Sequence, residues 1–113
     1  MTPPEDLIRI RHLREAAEKA VDFSIGATRQ SLEDDELLRL ALTKLVEIVG
    51  EAAKQVTLPT RQAHPSIPWA AAARMRDRLI HHYFDIDLDI LWATINDDLP
   101  RLLQELPRGA PDW

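Results

Sequence analysis

Apolar residues along this chain recur at intervals of three and four, interrupted by proline and polar clusters, and they outline four helices. The first is expected from about Glu5 to about Ser24, with Leu7, Ile10, Leu13 or Ala17, and Val21 on its apolar face. Pro3 and Pro4 precede it, Glu5 and Asp6 suit its positive end, and Gly26 can close it with a left-handed cap. The second is expected from about Leu32 to Val56. Ser31 is its candidate N-cap, Glu33-Asp34-Asp35-Glu36 load its first turns, and Leu38, Ala41, Leu45, Ile48 and Ala52 form its face. Gly50 falls inside this helix, where glycine costs about 1 kcal/mol relative to alanine. Its presence there predicts the close approach of another backbone.

Leu58-Pro59-Thr60 is expected to end the second helix, and His64-Pro65-Ser66-Ile67-Pro68-Trp69 reads as a loop. A third helix follows through Ala70-Ala71-Ala72-Ala73 to about His82, and Tyr83-Phe84-Asp85-Ile86 breaks the run. The fourth starts near Asp87 and buries Leu88, Leu91, Ile95 and Leu102. Pro100 should kink or divide it, because its ring removes a backbone hydrogen bond and crowds the preceding turn. With three glycines and no β-branched alternation, the fold class is all-α: one domain spanning 1–113, an antiparallel four-helix bundle with a loose tail over 107–113. Three tryptophans in so small a bundle favour dimerisation.

Charge changes this picture locally. The net charge of −5 argues against a protein that coats nucleic acid by bulk electrostatics. Residues 1–60 carry net −3 and residues 83–113 net −5, but residues 61–82 carry Arg61, Arg74, Arg76 and Arg78 against Asp77 alone, net +3. His64, His81 and His82 fall in the same stretch. A small basic centre on an acidic body suits local phosphate handling. The absence of cysteine excludes a disulfide framework and thiolate metal sites and fits a reducing cytoplasm. No apolar run approaches the roughly 18 residues of a membrane span, and the first residues lack a signal-peptide pattern.

Candidate chemistry concentrates in Arg76-Asp77-Arg78-Leu79-Ile80-His81-His82-Tyr83, an R-x4-H-x-Y pattern. Arginine forks onto phosphate oxygens, histidine moves protons near neutral pH, and tyrosine offers a hydroxyl. On an ideal helix Arg76 and Tyr83 share a face, whereas His81 lies roughly 140° from Arg76. Either the helix unwinds near His82 or two copies build the site across a two-fold axis. A structural reading stands beside this one: surface ion pairs for the arginines, a capping histidine, core aromatics at Tyr83 and Phe84. Asp85, Asp87 and Asp89 lack the glycine and glutamate of a calcium loop, so Asp85 or Asp87 is the expected N-cap of the fourth helix. His81 and His82 are adjacent, not four apart as in a helical zinc pair. Glu51 suits a solvated face, Trp69 and Trp92 suit core or interface, and no phosphate-binding glycine loop or nucleophilic serine motif is present.

Four segments in order resemble the HepT-like toxin family of the HEPN ribonuclease superfamily. The run Leu45 to Lys54 is similar to its IGEAAK segment, and Pro65-Ser66-Ile67-Pro68-Trp69 to its P-x-I-P-W. Met75 to Phe84 is similar to RNxxxHxYF, and Asp87, Trp92 and Asp98-Leu99-Pro100 to a closing D…W…DLP. Asp77 departs from the family's frequent asparagine, and an aspartate here can pair with Arg76 or Arg78 and weaken the positive field. The resemblance implies a HEPN-like homodimer with a composite cleft, needing no metal or cofactor, that cleaves RNA as the toxin of a type II toxin–antitoxin pair. It implies Arg76 and His81 as the catalytic pair, with Asp77, Arg78 and His82 supporting or RNA-binding. Tyr83 is then the residue to which an MntA-type nucleotidyltransferase antitoxin transfers AMP. The alternative is a non-catalytic helical partner and modification substrate of that nucleotidyltransferase.

Overall fold

Two twenty-residue helices form the spine. Pro4 and the acids Glu5 and Asp6 start α1, Pro4–Phe23, at the position the sequence indicates. Its buried face carries Ile10, Leu13, Ala17 and Ala20, and it packs chiefly on α3, Glu36–Gln55. The pair is antiparallel: Asp6, at the start of α1, bonds Thr57 just beyond the end of α3. The computed structural model describes residues 2–82 and 85–108, with the backbone alone at His81 and His82.

The second expected helix is in fact two. A single turn, α2 (Ser31–Asp34), is separated from α3 by Asp35, whose backbone is extended at φ −113° and ψ 96°. Asp35 is the N-cap of α3, accepting a bond from the Leu38 N–H at 3.1 Å. Ser31 does not cap a long helix; it lies within α2, and its Oγ accepts from the Thr28 N–H at 2.9 Å. The acids expected to load the first turns include the cap itself, since aspartate caps as well as serine does. Of the expected face of α3, Leu45 and Ala52 are buried, but the centre of the buried face lies to one side of them. Leu42, Val46, Val49 and Ala53 are fully buried, while Leu38, Ala41 and Ile48 lie half-buried along its flank.

Leu58-Pro59-Thr60 does not simply end a helix. It starts α4, Leu58–Ala63, because Pro59 falls in a first turn that needs no N–H from it. The third expected helix is broken at Arg74 (φ −98°, ψ 1°) into α5, Trp69–Ala73, and α6, Met75–Leu79. It ends three residues before His82: Ile80–His82 is a strand, β1, paired antiparallel with β2, Asp85–Ile86, in the register Ile80↔Ile86 and His82↔Asp85. The Asp87 N–H closes the ribbon on the Leu79 carbonyl at 2.7 Å. The ideal-helix angle between Arg76 and His81 therefore does not apply. Isoleucine followed by two histidines favours helix poorly, and pairing with Asp85–Ile86 supplies the backbone bonds that helix would have provided.

Asp87 is the cap of the fourth helix, its carboxylate accepting the Ile90 N–H at 3.0 Å. This helix is divided near Pro100, as expected: α7, Leu88–Ala93, widens into a π turn over Thr94–Asp98 before α8, Leu99–Glu105. The wide turn absorbs the proline ring and its missing donor. Leu91, Ile95, Leu99 and Leu102 bury on α1 and the rest of the core, with Leu88 half-buried. Of the expected tail, Pro107 and Arg108 are described, and Arg14 donates to the carbonyls of Leu106 and Pro107 at 3.1 and 2.8 Å. Trp69 is buried with its indole N–H on the His64 carbonyl at 3.0 Å, and Trp92 is half-buried. Among the described residues the fold is thus all-α but for a two-stranded ribbon at the third helix's end.

Candidate functional site

The site is built where α5 and α6 come close to α3, at Gly50. A Cβ on Gly50 would stand 3.5 Å from the carbonyl oxygens of both Ala72 and Ala73 and 3.8 Å from the Cβ of Arg76. These are ordinary contact distances, so the end of α5 and the first turn of α6 lie close on α3 at Gly50, the near backbone approach that its place inside a helix predicts, with room left for a methyl. Ala72, Met75 and Leu79 bury against the core, which turns Arg76, Asp77 and Arg78 outward.

Arg76 lies half exposed, its side chain at 49 % of full accessibility. Its Nε is 3.9 Å from Glu47 Oε1 and its Nη1 is 3.6 Å from Asp77 Oδ1. Asp77 Oδ2 is also 3.7 Å from Lys54 Nζ, and Glu47 Oε2 is 3.9 Å from Lys44 Nζ. Lysine, glutamate, arginine, aspartate and lysine thus alternate across the α3–α6 surface. These separations exceed direct hydrogen bonds, and such exposed contacts hold a side chain weakly. The guanidinium is available to a phosphate, and Asp77 pairs with Arg76 rather than with Arg78.

Arg78 points elsewhere, with Nη1 3.4 Å from Asp98 Oδ2 in the π turn. Of the expected site residues, Arg76 and Asp77 stand together and Arg78 stands apart from them. His81 and His82 sit on β1, where their side chains are not described, and Tyr83 lies outside the described residues. The backbone brings the motif histidine, His81, onto a strand two residues after α6 ends and two before Tyr83 in sequence.

The sequence reading missed Glu47 and Lys54. A signal was present: Lys44, Glu47, Glu51 and Lys54 recur at three, four and three, marking one charged stripe beside Gly50. Glu51 is exposed, as expected, and bonds Gln55 at 3.4 Å. Asp89, in the alternating aspartates, pairs with Arg29 at 2.7 Å. Among the described residues no group of three or more histidine, cysteine, aspartate or glutamate side chains could hold a metal. Nor is any described helix long and apolar enough to cross a membrane.

The family model for "Ribonuclease HepT-like" matches residues 13–108, most of the chain and all of the charged α3–α6 surface. Among curated proteins the chain is 37 % identical over 93 residues to a "Probable ribonuclease HepT" of Thermococcus cleftensis, covering 82 % of this chain and 84 % of that one. It is 32 % identical over 97 residues to a "Putative RNase" of Caldanaerobacter subterraneus subsp. tengcongensis, covering 86 % and 87 %. A "Gamma-glutamylcyclotransferase and putative RNase" of Methanocaldococcus jannaschii is 32 % identical over 99 residues, covering 88 % of this chain and 45 % of that longer protein. No solved structure matches. With the glycine-seated arginine, the strand-borne histidine and the match over most of its length, the chain belongs to the HepT-like ribonuclease family.

Proposed function

We propose that this protein is a metal-independent endoribonuclease, the toxin of a type II toxin–antitoxin pair acting in the cytoplasm, with Arg76 and His81 as its catalytic pair. One observation carries the reading. Arg76 is presented to solvent on a fixed helix seat, five residues before a histidine whose backbone has left the helix. Family membership supports it.

In RNA the 2′-hydroxyl is a built-in nucleophile. Its oxygen attacks the adjacent phosphorus, the bond from phosphorus to the 5′-oxygen breaks, and the products are a 2′,3′-cyclic phosphate and a free 5′-hydroxyl. His81 takes the 2′-hydroxyl proton or supplies one to the leaving oxygen. Arg76 binds the phosphoryl oxygens as charge grows on them. A homodimer with a composite cleft would let the second copy supply the complementary proton transfer. Arg78 and His82 would steady the flanking strand.

Tyr83 follows in sequence as the residue modified by an MntA-type nucleotidyltransferase antitoxin. Its hydroxyl oxygen attacks the α-phosphorus of ATP, pyrophosphate leaves, and an AMP ester remains. That ester places negative charge close to Arg76 in sequence and repels RNA. The second reading, a non-catalytic partner and substrate of the nucleotidyltransferase, is favoured by Asp77, which stands 3.6 Å from the guanidinium and offsets its charge.

The deciding experiment is cleavage of RNA by purified protein in excess EDTA, wild type beside His81→Ala. Cleavage by the wild type that is lost in the variant supports the nuclease. Inert wild type of verified unmodified mass, still bound by its nucleotidyltransferase, supports the partner reading.

A further inference from the structure

An open groove lies away from Arg76, between the end of α1 and the start of α3, with Phe23, Ile25 and Leu37 on its walls. Ile25 is 77 % exposed and Leu37 81 %, and Phe23 and Leu40 are about half exposed, at 52 % and 53 %. These are four of the six large apolar side chains exposed among the described residues. Leu40 follows Leu37 by three positions on α3, so the two continue one stripe out of the groove. A cluster of this kind gains by being covered.

The rim chooses the cover. Its lining carries Asp34, Asp35 and Glu36 and no basic residue, with Arg29 outside it. Arg29 is already engaged, 2.7 Å from Asp89 and 3.8 Å from Glu33. Arg39, next along α3, is turned onto the Leu32 and Glu33 carbonyls at 2.9 and 3.3 Å. An apolar floor inside an uncompensated acidic rim repels nucleic acid, anionic membrane and a second copy of itself. Backbone pairing is also closed: Ser31 and Thr28 bond each other's N–H groups, and Asp35 takes the Leu38 N–H. An occupant must satisfy its own backbone, as a helix does.

We infer that this groove docks a cationic amphipathic helix of a partner protein, with large apolar residues at helical spacing seated on Phe23, Ile25, Leu37 and Leu40 and flanking lysines or arginines on the acidic rim. The inference does not depend on ribonuclease activity.

The test uses two synthetic probes of about 18 residues: a helical leucine–lysine peptide and its leucine–glutamate counterpart of identical pattern. Binding is followed by fluorescence anisotropy at physiological salt. The doubly substituted Ile25→Glu, Leu37→Glu protein makes the surface more acidic, so non-specific attraction of the cationic probe can only increase. Both side chains project into solvent, and circular dichroism checks that the fold is retained. Leu58→Glu, on the 57 % exposed Leu58 of α4, is the control for an added charge elsewhere. The expected result is binding of the cationic probe that weakens about tenfold or more in the double variant, persists in Leu58→Glu, and is absent for the anionic probe. Equal binding by the double variant, or by the anionic probe, overturns the inference. So does concentration-dependent wild-type self-association that the double variant relieves, since the groove would then be occupied by a second copy.

Discussion

Arg76 is held between Glu47 and Asp77 at contact distances that tether without saturating it, and this balance sets its expected behaviour. Replacing Asp77 by asparagine removes a negative charge 3.6 Å from the guanidinium and keeps the side-chain shape. RNA affinity, read as KM in a cleavage assay, should improve by roughly two- to fivefold, the scale of an exposed ion pair, with the gain shrinking as salt rises. No change at low salt would show that Asp77 does not modulate the site. Arg76→Ala should lower kcat by about two to three orders of magnitude, as loss of a transition-state donor does. Arg76→Lys should recover only part of it, since the ammonium cannot fork onto two phosphate oxygens. Asp6 poses a residue-scale question of another kind. Burial works to raise its pKa, but bonds from the Thr57 hydroxyl, the Thr60 hydroxyl and the Thr57 N–H outweigh burial, with help from Arg9, and hold it below the ordinary value. A depressed carboxylate contributes stability that is present above its unfolded pKa and lost as pH falls through the folded one. Wild-type stability should therefore fall steeply below about pH 4. Asp6→Asn should flatten that limb in pH-dependent urea melts, and a limb of unchanged steepness in the variant would assign acid unfolding to other groups.

At the scale of elements, the contact of α3 with α5 and α6 is the joint on which the candidate site depends. Gly50→Ala places a methyl at ordinary van der Waals distance, 3.5 Å, from the Ala72 and Ala73 carbonyls. Helix propensity returns about 1 kcal/mol, so stability should hold or rise and activity should persist. Gly50→Leu has no such room. It should push α5 and α6 off α3 and carry Arg76 with them, costing activity more than tenfold while far-ultraviolet helicity survives; full activity in this variant would disconnect Gly50 from the arginine's placement. This joint was legible in the sequence because glycine inside an amphipathic helix is costly and calls for a reason. The start of α1, an aspartate cap at Asp85 or Asp87, and the division at Pro100 were legible for similarly local causes, with Asp87 the cap that forms. What was not legible turned on a choice between near-equivalent neighbours or on contacts between separate elements. The break at Asp35 hides in a run of four acids, two of them aspartates with the same capping chemistry. The exit from helix at Ile80 is decided by pairing with Asp85–Ile86, and a three-residue strand leaves too little alternation to read. Glu47 and Lys54 join the site only because α6 lies across α3.

For the whole molecule, the open question is how many copies make one active site. The helix ends at Leu79, so an unwound chain accounts for the Arg76–His81 spacing without a second copy, and both origins of the cleft stay chemically sensible. Mixing inactive variants separates them. Arg76→Ala and His81→Ala proteins, unfolded together and refolded, would assort into both homodimers and the mixed dimer. If a working cleft takes Arg76 from one copy and His81 from the other, each mixed dimer holds one intact pair. About half the dimers are mixed, and each has one competent site in place of two, so activity should return to roughly a quarter of wild type. If each copy uses its own arginine and histidine, every site in the mixture lacks one member and activity stays at the level of the separate variants. A sedimentation measurement alongside is essential, because a monomeric wild type that cleaves RNA would remove the composite cleft outright. Complementation with dimeric mass would place the two-fold axis beside α6 and β1.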